Sequence, residues 1–279
     1  MKSVGYYNGE IAPLEELRVP ALDRAFYFGD GVYDVALIHN GKPVALDDHL
    51  DRFFSSCGLV DIEIGRSRGE LTEILSSLPG YADPDIRDFT LYFQASRGIA
   101  PRSHPFPENA EPGFFSYITP RTFRDQSERI SLITKEDIRF YMCNVKTICL
   151  MPNVLASEEA KRKGCCEAIL HRGDVVTEGS HTAIALIKDG ALVFPPLSNL
   201  ILPSITRKQL IALCEENGIP VVLREIRLGE LWTADEVLSM STTSVILAAK
   251  EIDGKPVGGK APGLVDRMQK LFFDRYGLI

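Results

Sequence analysis

Apolar residues fall at two spacings along this chain, with turn residues between them. Residues 33–39 (Tyr-Asp-Val-Ala-Leu-Ile-His) are the apolar and β-branched types of a strand. Asn40-Gly41 is a strong hairpin signal, and Pro43 to Leu46 would return. Leu50, Phe53, Phe54 and Cys57 then recur at helical spacing, which predicts a helix to about Gly58 with Asp47 or Asp48 as its cap. A second helix fits residues 69–78, and strands fit residues 88–97 and 113–119. Between those strands, Gly98-Ile-Ala-Pro-Arg-Ser-His-Pro-Phe-Pro-Glu-Asn109 is a loop by its prolines and glycine.

The second half alternates more quickly. Strands are expected near 130–134, 139–150, 166–171, 181–188, 191–194, 219–226, 236–241 and 244–251, and helices at 153–163, 206–217 and 263–276. Lys161-Arg-Lys163 before Gly164 suits a helix C-terminus. Asp189-Gly190 and Asp253-Gly254 are further hairpin turns, and so many hairpins argue against a doubly wound parallel sheet. At 279 residues the chain is long enough for about two domains. The reading is two α+β domains with mixed sheets: a small one over 1–119, a polar linker at 120–125, and a larger one over 126–279.

Composition narrows the partners. Hydrophobic residues are 45% and charged residues 25%, an ordinary globular balance. The net charge of −7 argues against a general nucleic-acid binder. No window is long and apolar enough to span a membrane, and the N-terminus shows no secretory signal. The six cysteines form no Cys-x-x-Cys pair and have no histidine at metal-ligand spacing, so reduced thiols in a cytoplasmic protein, with no metal, are expected.

Four features can carry chemistry. Lys146 is the only charged residue between Phe140 and Ser157; it either snorkels to the surface or sits partly desolvated, where an ammonium is disfavoured and a free amine becomes available. Glu178, in Val176-Thr-Glu-Gly-Ser180 between two expected strands, is either a solvated turn residue or the partner of a protonated heterocyclic nitrogen. Ser204-Ile-Thr-Arg207 opens a helix, whose free N–H groups bind anions, and Ser241-Thr-Thr-Ser244 offers four hydroxyls in a row. Arg52 lies on the Phe-rich helix. Taken singly, these last three are an N-cap, a Ser/Thr turn and a solvated arginine.

Their order resembles that of the fold-type IV pyridoxal phosphate enzymes, the class IV aminotransferases, and within them the D-amino acid transaminases. The resemblance runs from Tyr7-Asn-Gly-Glu10 to the last helix. It is carried by Asp23-Arg24, Phe28-Gly-Asp-Gly-Val-Tyr33, His49-Leu-Asp-Arg52, Ser96-Arg-Gly98, Pro101-Arg-Ser-His104, Phe106-Pro-Glu-Asn109, the Lys146 stretch, Lys163-Gly-Cys165, Glu167-Ala-Ile-Leu-His-Arg172, Thr177-Glu-Gly-Ser180, Ile205-Thr-Arg207 and Ser241-Thr-Thr-Ser244.

The resemblance implies a homodimer with pyridoxal 5′-phosphate as cofactor, acting on small amino acids and 2-oxo acids. Lys146 matches the lysine that bonds the cofactor and moves the substrate α-proton. Glu178 matches the acid at the ring nitrogen. Arg52, Ser204, Ile205, Thr206, Ser241 and Thr242 match phosphate-side positions. Tyr33, Arg102 and His104 match the trap for the α-carboxylate, with Arg102 and His104 reaching into the partner's site. The implied reaction exchanges an amino group between a D-amino acid, such as D-alanine or D-glutamate, and a 2-oxo acid.

Two departures stand out. Ala183 occupies a position where relatives often carry Asn, and His181 one where D-amino acid transaminases tend to carry Ser; His181 or Thr182 is therefore expected to supply a hydrogen bond to the loop that orients Glu178. Asp34 stands where relatives often have Glu. A branched-chain aminotransferase shares the lysine and phosphate motifs but lacks the Pro-Arg-x-His trap, whereas an aminodeoxychorismate lyase or an (R)-selective amine transaminase would share the lysine.

Overall fold

A computed structural model describes residues 1–278. The chain divides into two compact units, one of Met1–Phe123 with Val145–Cys149, the other of Arg124–Asn144 with the chain from Leu150 on. Each combines helices with an antiparallel or mixed sheet, an α+β architecture.

The first unit holds β1 (Val4–Tyr7), β2 (Glu10–Pro13), α1 (Arg24–Phe28), β3 (Gly31–His39), β4 (Lys42–Val44), α2 (Leu46–Leu59), α3 (Arg68–Ser77), β5 (Phe89–Ser96) and β6 (Gly113–Pro120). Its strands run antiparallel in the order β2-β1-β6-β5-β3-β4. The period of two sends Val32, Ala36, Ile38, Leu91, Phe93, Phe114 and Ile118 into a core with Leu50 and Phe53 of α2 and Leu71 and Leu75 of α3. The other face carries Tyr33, Val35, Tyr92, Gln94, Phe115 and Tyr117, all half-buried. Asn40 and Gly41 both take positive φ, at 50° and 75°, the pair a two-residue hairpin of type I′ needs. The start of α2 differs from expectation. Ala45, in the left-handed region at φ 50°, is its N-cap and offers no side-chain bond. Asp47 and Asp48 sit in the first turn instead, where they favour the helix dipole rather than cap it.

The second unit holds β7 (Ile130–Glu136), α4 (Met151–Arg162), β8 (Glu167–Arg172), β9 (Val175–Gly179), β10 (Ala183–Lys188), β11 (Ala191–Phe194), α5 (Ile205–Glu216), β12 (Val221–Leu223), β13 (Ile226–Arg227), β14 (Glu236–Ser241), β15 (Val245–Ile252), β16 (Lys255–Pro256) and α6 (Pro262–Tyr276). The sheet order is β12-β11-β10-β14-β15-β7-β8-β9-β13, with β16 on β15. The expected strand over 219–226 is split. Arg224 and Glu225 alone separate β12 from β13, yet these strands end opposite sides of the sheet. The sheet therefore curls on itself around Ile130, Leu132, Ile184, Leu186, Val237 and Leu247.

No strand forms over 139–150. The chain there is irregular, and a Thr147 N–H to Val145 carbonyl bond closes a three-residue turn around Lys146. That turn removes groups a continuous ladder would need. What pairing remains is a single bridge between Thr147 and Val32. No helix among the described residues is long and apolar enough to cross a membrane.

Candidate active site

Lys146 lies in the first unit, with its backbone fixed from both sides. Its carbonyl accepts from the Tyr33 N–H at 2.9 Å, and its N–H donates to Ser56 Oγ at 3.1 Å. The half-buried side chain brings Nζ to 4.3 Å from the centroid of the Tyr33 ring, a cation–π contact. Tyr33 in turn stacks on Tyr92 at 5.5 Å, and Tyr92 on Tyr117 at 4.9 Å. Strand β3 thus places the lysine's neighbour on the half-buried face of the sheet.

One residue along, β3 turns Asp34 to the opposite face, where it is wholly buried. Arg52 pairs its Nε and Nη2 with the two oxygens of Asp34 at 2.8 and 2.7 Å, and His49 Nδ1 lies 2.9 Å from Oδ1. Burial alone would raise the Asp34 carboxyl, but Arg52 and His49 together hold it well below the usual carboxylate range. Burial lowers His49 even beside Asp34, so its neutral ring donates Nδ1–H to the carboxylate. Helical spacing puts His49 and Arg52 on one face of α2, and Asp34 sets the direction of the guanidinium.

Arg102 and His104 are exposed, on a loop that packs over Phe28. The Arg102 guanidinium carbon lies 4.9 Å from that ring's centroid, and the His104 ring 5.1 Å. Among the described residues, no hydrogen bond or ion pair joins either side chain to Tyr33. The structure brings Tyr33 to Lys146 and Arg102 to His104, but does not join these pairs within the chain.

The second unit carries the remaining residues. Glu178 lies within β9 rather than in a turn between strands, and is buried. The run Val175-Val-Thr-Glu-Gly179 pairs with β8, and Thr177 faces Asp137. Glu178 Oε1 meets Arg139 Nη1 at 2.5 Å, and Oε2 accepts from the Leu202 N–H at 3.1 Å. Arg139 is itself forked onto Asp137, with Nε and Nη2 each 2.9 Å from an oxygen, and Arg172 Nε reaches Asp137 at 3.2 Å. Burial opposes the charge on Arg139, but Asp137 and Glu178 more than compensate and raise it. Burial would raise Asp137 too, yet Arg139 and Arg172 lower it. Neither Asp137 nor Arg139 stood out in the sequence. The available signal was an Asp-x-Arg pair beside an apolar run that holds one lysine.

Ser204 caps α5 by accepting the Arg207 N–H at 3.2 Å. Ile205 and Thr206 supply the first helical N–H groups, which have no carbonyl one turn earlier to bond. Between β14 and β15, Ser241 Oγ accepts from the Ser244 N–H at 3.1 Å and bonds the Ser244 hydroxyl at 2.8 Å, so it holds the turn shut. The turn ends at Val245 with φ 58°, a strained conformation for a β-branched residue. Thr242 sits half-buried within that turn.

The loop that follows Glu178 is tied by bonds of Ser180, His181 and Thr182. Ser180 Oγ and His181 Nδ1 both turn to buried Glu167, the latter at 3.1 Å. Thr182 Oγ1 accepts from Ser239 at 3.0 Å, and its carbonyl accepts the Gly179 N–H at 2.7 Å. Glu167 thus holds the loop that follows Glu178, and Ala183 contributes no side-chain bond to it.

In the first unit the Lys146 amine suits an aldehyde. In the second, a buried carboxylate backed by an arginine suits a basic ring nitrogen, and a helix N-terminus and a hydroxyl turn suit a phosphate. The chemistry of each fits a group of pyridoxal phosphate. Among the described residues there is no group of three or more His, Cys, Asp or Glu side chains that could hold a metal ion.

The family profile described as amino-transferase class IV matches residues 31–252. The D-alanine aminotransferase of Bacillus licheniformis is 36% identical over 259 residues, covering 92% of this chain and 91% of that protein. That of Listeria monocytogenes is 37% identical over 273 residues, covering 96% and 94%. Among solved structures, the branched-chain amino acid aminotransferase of Escherichia coli superposes with a TM-score of 0.90 at 22% identity, covering 99% of this chain and 95% of that one. An aminotransferase from Brucella abortus bound to the cofactor PLP gives 0.88 at 20% identity, covering 99% of both. The two solved structures share the fold. The profile, which spans most of the chain, and the D-alanine aminotransferases that match it nearly end to end go further: this chain belongs to the class IV aminotransferases, the fold-type IV enzymes that work with pyridoxal 5′-phosphate.

Proposed function

We propose that the protein is a D-amino acid aminotransferase that works as a homodimer in the cytoplasm. The observation that carries this reading is the loop over Phe28, which displays Arg102 and His104 to solvent. A planar guanidinium with a neighbouring imidazole suits the bidentate grip of a carboxylate. A branched-chain reading leaves the Pro-Arg-x-His motif that carries this pair unaccounted for. That neither residue bonds Tyr33 within the chain supports their service in a partner's site.

Bound pyridoxal phosphate supplies the electron sink that makes a substrate α-C–H acidic. The chain's residues do the rest. Lys146 would hold the cofactor through its amine, and the freed amine would take the substrate α-proton and return it. Glu178, held by Arg139 and the Leu202 N–H, would keep the ring nitrogen protonated through opposite charge. Arg52, aimed by Asp34, would hold phosphate, and so would the first N–H groups of α5 and Thr242. Arg102, His104 and Tyr33 fix the α-carboxylate, and so decide which α-hydrogen faces Lys146. The donor leaves as a 2-oxo acid, and a second 2-oxo acid receives the amino group.

Purified enzyme given D-alanine and 2-oxoglutarate is expected to form pyruvate and D-glutamate. Activity with L-leucine in place of D-alanine, and none with D-alanine, would move the protein to the branched-chain group.

A further inference from the structure

The loop over 98–109 is rich in proline and exposed at its tip, yet its backbone is held at several points. The Arg24 N–H donates to the Gly98 carbonyl at 3.0 Å, the Ala100 N–H donates to the Leu22 carbonyl at 3.1 Å, and Tyr27 Oη donates to the Ala100 carbonyl. These bonds fix the loop's base. Farther out, the Ser103–His104 backbone is held by a side chain. Arg24, only 3% exposed, sends Nη1 to the Ser103 carbonyl at 2.6 Å and Nη2 toward the His104 carbonyl at 3.4 Å. Its Nε is fixed by Asp30 Oδ2 at 2.7 Å.

Asp30 joins this grip to a second one. Its carboxylate also takes Arg97 Nε at 2.9 Å, and the Arg97 guanidinium carbon lies over Phe106, 3.5 Å from the ring centroid. The Arg97 amino groups donate to the Asp61 and Val60 carbonyls at 2.6 and 2.8 Å. One carboxylate therefore orients two arginines, one on the Ser103–His104 backbone and one on the Phe106 ring. Arg24 also lies 4.7 Å from the Phe28 centroid, the same ring that supports Arg102 and His104.

We propose that Arg24 is a positioning residue for substrate binding: anchored by Asp30, it holds the backbone of Ser103 and His104 so that the Arg102 and His104 side chains are presented in one fixed arrangement. This rests on the reading that those two side chains grip the substrate carboxylate. A buried guanidinium can donate to one carboxylate and two carbonyls at once. An ammonium is a point charge on a flexible stem and cannot reproduce that fork. Without the fork, the loop must be ordered at the moment of binding, which weakens affinity while leaving the proton transfer at Lys146 untouched.

The test is a double-mutant cycle on the holoenzyme with Arg24→Gln, Arg102→Ala and both together, measuring kcat and KM for D-alanine. Arg24→Lys is measured in parallel, in case the glutamine variant folds poorly. Arg24→Gln is expected to raise KM about tenfold with kcat within twofold, and Arg24→Lys to recover only part of the loss. Arg24→Gln is also expected to speed tryptic cleavage after Arg102. In the Arg102→Ala background the KM effect of Arg24→Gln should shrink to the part carried by His104, because the residue acts through the loop. Unchanged KM in both Arg24 variants, with a raised KM in Arg102→Ala, overturns the proposal alone. Full additivity of the two substitutions overturns it as well. Wild-type KM in Arg102→Ala overturns the carboxylate-trap reading and the proposal together.

Discussion

Replacing Asp34 by Asn removes one buried charge and breaks its ion pair with Arg52. In the native chain both Asp34 oxygens are taken by the Arg52 guanidinium, and His49 donates to one of them. Asp34 is fully buried and Arg52 is 9% exposed, so water cannot take over the lost bonds. Breaking a buried pair from one side costs about 3–5 kcal/mol. A domain of this size loses roughly 2–8 °C of melting temperature per kcal/mol, which puts the expected fall at about 6 °C or more. The effect has a pH signature. Asp34 is held below its ordinary range in the folded chain, so the unfolded chain binds the proton more readily. The stabilisation is therefore complete above the ordinary aspartate range and is lost as pH falls below about 4. The gap in melting temperature between the native chain and Asp34→Asn should accordingly be widest near neutral pH and narrow in acid. Circular dichroism melts of both proteins from pH 3 to pH 8 measure this, and titration of the apo forms with pyridoxal phosphate measures the aim of Arg52. Loss of that aim should weaken cofactor binding about tenfold or more. A variant that melts within 2 °C of the native chain at pH 7 and binds the cofactor equally well would refute the argument.

Other consequences are simpler to check. Lys146→Ala is expected to abolish transamination while leaving the far-UV circular dichroism spectrum unchanged. Phe53→Ala empties the centre of the first unit's core, where Phe53 packs edge-on against Phe93 and Phe114, and should cost about 3–5 kcal/mol in denaturant unfolding. Burial pushes the Cys57 thiol up to about 12 and Cys214 up to about 11, whereas Cys166 is exposed. A thiol reagent at pH 8 should thus label Cys166 in the native protein and leave Cys57 and Cys214 until the chain is unfolded, as peptide mapping would show.

What the sequence reveals is what local chemistry decides. Asn40-Gly41, Asp189-Gly190 and Asp253-Gly254 all form tight turns with both residues at positive φ, because few other residues accept that conformation. Ser204 opens α5 where a serine before a helical run should. The failures are non-local or depend on an unusual backbone. Ala45 carries no capping chemistry, so nothing in its identity announces that it starts α2 from the left-handed region. The apolar run around Lys146 has strand composition, but its hydrogen bonds go to a three-residue turn and to the start of β3, more than a hundred residues away. Glu178 looks like a turn residue beside Gly-Ser, and only its pairing with β8 shows that it lies in a strand. Arg139 meets Glu178 and Asp137 meets Thr177 across about forty residues of sequence, which no spacing rule anticipates. The loop after Glu178 is tied to Glu167 through Ser180 and His181, since β8 and not β9 points its acid at residues 180 and 181.

The central claim is that Lys146 moves the α-proton of a D-amino acid held by its carboxylate. It is tested most directly by incubating the holoenzyme in heavy water with D-alanine or L-alanine, without any 2-oxo acid, and following the α-hydrogen by proton NMR. Exchange of the α-hydrogen of D-alanine, with that of L-alanine retained and with no exchange in Lys146→Ala, is the predicted result. Exchange confined to L-alanine, or exchange of D-alanine that survives the loss of Lys146, would contradict the account.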